Sequence, residues 1–508
     1  MQSSNKLLLK NTIFLYVRMF FVLIVSLYTS RVVLNTLGVE DYGIYNVVAG
    51  FVSLFAFLNA TLSASVQRFY NYEGSQKGLI GFRSVYVTSF VIHLILAVII
   101  FIILETFGLW YINNVMVLPE DRVGVANIVF HASVLSLLLL LFQIPYIGAI
   151  MAKQSMDFYA IVSVIDTILK LALAFALPYM QYDKLFIYAI LSLSITVLDF
   201  ILYYAFCKAK FQEISFEFSV NKTLFKQILG FTGWNVLGTF AFMLKGQGLN
   251  MLLNLFFGPV INAARGIAYQ VNTAISGFSQ NITIAFRPQI VNNYADKEYI
   301  KVRSLMYTES KICFMLIATL ITPIILDIDY IMHLWLGNNI PKMTYSFTIL
   351  VLLDSLVCTL NTPCTQTIQA TGKIRSYQIA STTINLLLLP ICWFFLKLGS
   401  NPTTVFILTI IISTINQVVC IVEVNKVFNV DLKAYIKEVL YPCAIYMIAL
   451  PILPYLIINI LEPSLLRLFI LGFLTLSLAL PLCYMLGLTS TQRSMVRDYL
   501  ISKKIRNA

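Results

Sequence analysis

Hydrophobic positions along this chain do not alternate or follow a one-sided stripe; they come in long runs that are apolar all round. Such runs lie at roughly 11–36, 43–67, 84–108, 124–151, 157–178, 185–207, 229–257, 260–286, 311–332, 344–371, 376–397, 402–424, 439–461 and 464–488. A helix that crosses the hydrocarbon of a bilayer needs about 20 mostly apolar residues, so the pattern predicts about fourteen spanning helices. Turn chemistry and charge mark the breaks: Gly38-Val-Glu-Asp-Tyr-Gly43, Pro119-Glu-Asp121, Gly258-Pro259, Gly337-Asn-Asn-Ile-Pro341, Gly399-Ser-Asn-Pro402 and Glu462-Pro463. The pair 229–257 and 260–286 is the least clean, because it carries Lys245, Arg265 and many Gly, Asn and Gln.

Composition agrees. Of 508 residues 59% are hydrophobic and 11% charged, against roughly 25% charged in soluble domains. So few charges cannot build a water-facing skin, whereas lipid makes an apolar exterior the right one. The start, Met1 to Leu9, carries no small-residue cleavage site behind it, so the first run is read as a retained helix. With the N-terminus placed inside, 25 of the 35 lysines and arginines fall in inside segments and five, Arg122, Lys184, Lys342, Lys397 and Arg467, in outside ones. That asymmetry sets both termini in the cytoplasm. It also assigns the net charge of +12 to a face meeting anionic inner-leaflet lipid, and not to nucleic acid. The eight cysteines form no CxxC pair and fall mostly in apolar runs, which predicts packing roles, no disulfide framework and no metal site.

Charges inside the runs narrow the chemistry. Arg18, Arg31, Asp166, Lys170, Asp199, Lys245, Arg265 and Asp354 lie within them, each at a cost of about 2.5–3.5 kcal/mol at a helix centre. Asp166 and Lys170 are one turn apart and suited to pair. Arg18, Lys245 and Arg265 have no such local partner, and five basic groups against three acids leave the interior positive. A wet, positive passage attracts phosphates, which arginine grips in bidentate fashion; structural pairing inside the bundle is the alternative. Arg31 stands behind these three. It lies thirteen residues from Arg18, about 220° around the axis at 100° per residue, and can snorkel to the outer interface. Asn250, Asn254, Asn262 and Gln270 are candidates for hydrogen bonds to sugar hydroxyls, with interhelical bonding as the alternative. Asp199 and Asp354 are candidates for a coupling cation or proton.

Catalytic signatures are missing: there is no GxxxxGK[ST], HExxH or GxSxG, and no outside loop is long enough for a reactive domain. The chain after residue 228 echoes its start, with Leu34-Asn35 and Leu253-Asn254, and Arg68 and Arg287, each 219 residues apart.

Three stretches carry a family likeness. Asn11-Thr-Ile-Phe-Leu-Tyr-Val-Arg18, the turn from Ser30 to Tyr45 and Ser65-Val-Gln-Arg-Phe69 resemble bacterial polysaccharide-unit exporters of the oligosaccharide flippase type. Phe225-Lys-Gln-Ile-Leu-Gly-Phe-Thr-Gly-Trp-Asn235 fits them too. These exporters belong to the superfamily that holds multidrug extruders and the lipid II flippase. The resemblance implies an all-α polytopic membrane protein with two pseudo-equivalent six-helix lobes and a C-terminal helix pair. Residues 1–210 would form the N-terminal lobe, 211–228 a cytoplasmic connector, 229–430 the C-terminal lobe, and 431–508 the final pair with a basic tail. It implies alternating access, a polyprenyl-pyrophosphate-linked oligosaccharide as cargo, and surface-polysaccharide biosynthesis beside glycosyltransferases and a polymerase. The protein would then be a transporter and not an enzyme, a monomer in the bacterial cytoplasmic membrane, with no cofactor beyond a coupling H+ or Na+. Lipid II flippases place basic residues on their first and eighth helices, and Arg18 and Arg265 occupy comparable helices here. The rivals are a drug/cation antiporter of the same superfamily, for which these runs are too basic, and a membrane-bound glycan polymerase, for which the outside turns are too short.

Overall fold

The structure, a computed structural model, describes the backbone of residues 2–488 except 56, 154, 213, 215–220, 372–373, 429 and 431, together with Arg493. Side chains are described from Phe21 onward, apart from 229–242 and scattered helix positions such as Arg68. The side chain of Arg18, the middle of the connector and the basic tail beyond Arg493 lie outside the described residues.

Among the described residues every regular element is helical, and eleven segments are long and apolar enough to cross a membrane. This is an all-α, multi-pass membrane protein. In chain order the helices are α1 (Gln2–Ser53), α2 (Phe57–Ile103), α3 (Leu109–Asn114), α4 (Val123–Ala152), α5 (Met156–Ala176), α6 (Lys184–Lys210), α7 (Lys222–Phe257), α8 (Pro259–Ala295) and α9 (Tyr299–Leu326). They continue with α10 (Ile328–Leu336), α11 (Thr344–Ala370), α12 (Arg375–Lys397), α13 (Thr403–Phe428), α14 (Leu432–Tyr435), α15 (Tyr441–Ala449), α16 (Ile452–Ile460) and α17 (Leu465–Leu482).

The chain reverses where the sequence carries turn residues. Gly38 (φ 82°) breaks α1 and Gly258 (φ 75°) separates α7 from α8. Both sit in the left-handed region that a side chain disfavours. Gly78 (φ 56°) and Lys297 (φ 61°) form a second such pair. The two pairs stand 220 and 219 residues apart, so the sequence echo between the halves reappears as matched turns. Two details depart from the hydropathy reading. The stretch 43–67 is interrupted at 54–55, where Leu54 and Phe55 bond back to Phe51 and Val52 with three-residue spacing. The segment 287–310, which lies between the apolar runs 260–286 and 311–332 and so reads as a loop in the sequence, is nearly all helix, with only 296–298 between α8 and α9. Charges past a span's end look the same in sequence whether the helix stops or continues beyond the hydrocarbon.

Contacts divide the chain into two compact units, residues 1–266 with 338–342, and residues 267–337 with 343–508. In the first unit α4 is central, packed on α2 and α6, while α5 packs on α1 and α7 on α2. Its apolar core includes Phe51 stacked on Tyr111 at 5.2 Å and Tyr70 stacked on Phe82 at 4.2 Å. Glycine allows close approach: a Cβ on Gly43 would lie 2.1 Å from the Pro259 carbonyl oxygen. Turns at one end of this unit are tied by Arg122. Its Nε donates to Asp41 Oδ1 at 2.8 Å and its Nη1 to Asp183 Oδ2 at 2.5 Å. Asp183 also caps α6 by accepting from Phe186 N at 3.0 Å. Partial burial would push the Asp183 carboxyl upward, but the hydrogen bonds from Arg122 outweigh it and hold the group below the usual carboxylate range.

In the second unit α9 is central, packed on α11, α15 and α17, and α13 packs on α11 and α12. Phe347 and Phe406 meet at 4.3 Å. A buried ion pair fastens the final helix: Arg467 Nε donates to Asp327 Oδ2 at 3.0 Å, and a second guanidinium nitrogen reaches Oδ1. Arg467 Nη1 also donates to the Leu461 carbonyl at 3.0 Å.

Two outcomes are predicted from this packing. Gly43→Ala forces backbone apart and lowers stability by about 1–3 kcal/mol, measured by thermal unfolding in detergent. Asp183, with a depressed folded value, contributes stability above its unfolded value of about 3.9 and loses it as pH falls through the folded one. Arg122→Gln therefore flattens the acid limb of the pH–stability curve below about pH 4, and an unchanged limb refutes that role.

Candidate functional site

Polar side chains are rare in these helices, so a place where they gather stands out. In the first unit they gather where the second half of α1 meets the end of α7 and the start of α8. Hydrocarbon offers no hydrogen-bond partner, so each amide that enters must find one in the protein. Asn262, fully buried, donates to the Asn250 carbonyl at 2.7 Å and to Asn250 Oδ1 at 2.8 Å. Asn250 Nδ2 donates to the Asn46 carbonyl at 3.3 Å, and Asn46 Nδ2 to the Tyr42 carbonyl at 2.7 Å. Asn254 makes a reciprocal pair with the backbone of Val117, accepting from N at 3.1 Å and donating to O at 3.2 Å. The seam is tight as well as polar: Cβ atoms on Gly50 and Gly266 would lie 2.7 Å from Asn250 Nδ2 and 2.8 Å from Asn46 Oδ1.

The two basic candidates of α7 and α8 belong to this seam. Arg265, 7% exposed, donates from Nη2 to the Gly246 carbonyl at 2.7 Å. That bond sets the guanidinium against the backbone one residue from Lys245, which is half-buried. Two buried acceptors stay unmatched beside them among the described residues, Gln247 Oε1 and Asn262 Oδ1. No carboxylate is near in sequence: from Phe218 to Ala295 the chain holds Lys222, Lys226, Lys245, Arg265 and Arg287 and not one Asp or Glu. The seam can therefore hold negative charge, with guanidinium and ammonium as donors and amides around them. The acid-free run is a sequence signal that a reading focused on individual spans passes over.

Other sequence candidates lie elsewhere. Arg31 is a partly buried residue of α1, and Gln270, on α8, falls in the second unit. Asp354, in α11 of the second unit, accepts from Cys358 Sγ at 3.9 Å. Asp199 on α6 joins Asp166 and Lys170 of α5. Lys170 Nζ lies 2.8 Å from Asp166 Oδ1, the expected one-turn pair, and the Asp199 carboxyl faces Asp166. Lys170 thus pairs with Asp166 and lies within the electrostatic reach of Asp199. Asn262 and Asn250 bond between helices and Asn254 bonds the turn at Val117, so in this conformation their structural role is visible.

No family model and no curated protein matches the chain. Solved structures do resemble it. "Lipid II flippase MurJ, inward closed conformation" superposes with a TM-score of 0.71 at 13% identity, covering 94% of this chain and 98% of the other. An inward-facing multidrug resistance transporter of the MATE family, within the MOP superfamily, gives 0.61 at 15% identity, covering 82% and 94%. A MOP superfamily transporter from Pyrococcus furiosus, whose title notes a reverse polarity of its binding pocket, gives 0.58 at 16% identity, covering 83% and 96%. The chain has the fold shared by these proteins.

Proposed function

We propose that this protein is a flippase that moves a polyprenyl-pyrophosphate-linked oligosaccharide across the bacterial cytoplasmic membrane, for surface-polysaccharide assembly. The observation that carries the reading is the seam of α7 and α8: the Arg265 guanidinium bonded to the backbone beside Lys245, in a run of 78 residues without an acid. Arg18, on the first helix, is assigned to the same task, with Arg31 as a lesser contributor. A lipid-linked sugar has an anionic pyrophosphate, a polar glycan and a long apolar tail. Basic groups hold the head, amides such as Asn250, Asn254, Asn262 and Gln270 meet hydroxyls when their present bonds open, and the tail stays in lipid. The likeness to a lipid II flippase supports this class of cargo. Alternating access moves it, and no covalent bond is made or broken. Both termini face the cytoplasm, where glycosyltransferases supply the cargo, and a polymerase consumes it outside. The protein works as a monomer without a cofactor.

Coupling is assigned to the Asp166–Lys170–Asp199 cluster, with Asp199 as the group that exchanges H+ or Na+, and to Asp354 in the second unit. A specific observation also favours a second reading, a drug/cation antiporter: the same two carboxylates against one ammonium give the first unit a net negative spot suited to a cation.

Lys245→Ala and Arg265→Ala each lower export at least tenfold while the protein stays in the membrane, and Lys245→Arg retains more activity than Lys245→Glu. The measurement is accumulation of inward-facing lipid-linked sugar in cells carrying each variant. Normal export in both alanine variants, with drug resistance lost on Asp199→Asn, selects the antiporter. In reconstituted vesicles Asp199→Asn removes the dependence of transport on an imposed ion gradient, and an unchanged dependence removes Asp199 from coupling.

A further inference from the structure

A second ionisable group lies deep in the protein, on an element the sequence reading treats as a loop. Glu309 stands three turns into α9 and has no exposed surface. Neither carboxyl oxygen makes a hydrogen bond among the described residues. The Thr283 hydroxyl of α8 faces it without reaching hydrogen-bond geometry. Gln366 of α11, 4% exposed, reaches the same turn of α8: its Nε2 donates to the Thr283 carbonyl at 3.2 Å, and its Oε1 has no donor among the described residues. Cys313, one turn along α9, has its Sγ 4.0 Å from the Ser279 carbonyl. Around these lies an apolar cluster that includes Ile290, Met306, Leu360 and Ile368.

Nearby charges are occupied elsewhere. Arg287, one turn beyond Thr283, donates to Gln369 Oε1 at 3.1 Å. Lys311, two residues along α9, lies in the field of Glu438 and Arg493. Cys313 feels the charge of Glu309, and the polar group shown to face the carboxyl itself is the Thr283 hydroxyl. An ionised carboxylate without a countercharge or donors is strongly disfavoured in such surroundings. A metal cation is a poor occupant, because hard cations take six or more oxygen ligands and, among the described residues, the Thr283 hydroxyl is the oxygen group shown to face this carboxyl. A proton needs only the carboxyl.

We propose that Glu309 is a proton-binding site of the second unit, holding its proton in this conformation and exchanging it during the transport cycle. The exchange rests on the transporter reading; the proton itself does not. The test uses the full chain in lipid vesicles. Infrared difference spectra on pH steps are recorded in water and heavy water for the wild type, E309Q, Asp199→Asn and Asp354→Asn. A protonated-carboxyl carbonyl band that shifts on deuteration, persists in the aspartate variants and vanishes in E309Q is the expected result. Its absence in the wild type, or its survival in E309Q, overturns the site. Gln mimics the neutral acid, so E309Q is expected to unfold at or above the wild-type temperature; a loss of stability shows that Glu309 is held ionised and also overturns it. In a second arm, an imposed pH gradient stimulates movement of a fluorescent polyprenyl-pyrophosphate glycan by the wild type and not by E309Q. Equal stimulation of both removes Glu309 from the cycle, and movement by neither, with the infrared band present, faults the assigned cargo alone.

Discussion

Hydrocarbon cannot hydrogen-bond, and the whole structure answers to that constraint. Backbone groups close on themselves in helices, so every described element is helical. Each polar side chain that remains needs a partner on a neighbouring helix. Asn262 on Asn250 and Asn250 on Asn46 are the consequence, and they fix how α1, α7 and α8 meet more specifically than apolar contact does, while Asn254 holds the turn at Val117. Glycines at 43, 50 and 266 bring the backbones close enough for those short amides to reach.

The same constraint sorts the charges. Arg122 with Asp41 and Asp183, Arg467 with Asp327, and Lys170 with Asp166 neutralise one another within the protein. Lys245 and Arg265 instead share a stretch with no acid, and Glu309 has no base within an ion pair among the described residues. The basic seam in one unit and the buried carboxyl in the other are the features on which the functional reading is built.

Much of this was legible from residues. Runs of apolar positions gave the helices, and Gly38, Gly258 and Gly337 marked turns because their backbone is left-handed there. Asp166 and Lys170 declared themselves by four-residue spacing. What sequence concealed was long-range or conformational. Arg122 lies 81 and 61 residues from its carboxylates, and no periodicity links them. Glu309 sat among charges that read as a loop, although α9 runs through it. Arg265 and Lys245 were visible as candidates, but the bond from Arg265 to the Gly246 carbonyl, one residue from Lys245, depends on the hairpin at Gly258.

The clasp of Asp327 and Arg467 has a consequence for how the chain is made. The two residues are 140 positions apart, and at about 5–20 residues per second the ribosome needs roughly 7–30 s to cover that interval. Throughout it the nascent protein carries a carboxylate whose counterion does not yet exist. A polypeptide cut short before Arg467 keeps that uncompensated charge for good, so the fold closes around Asp327 only once the last helix has been made.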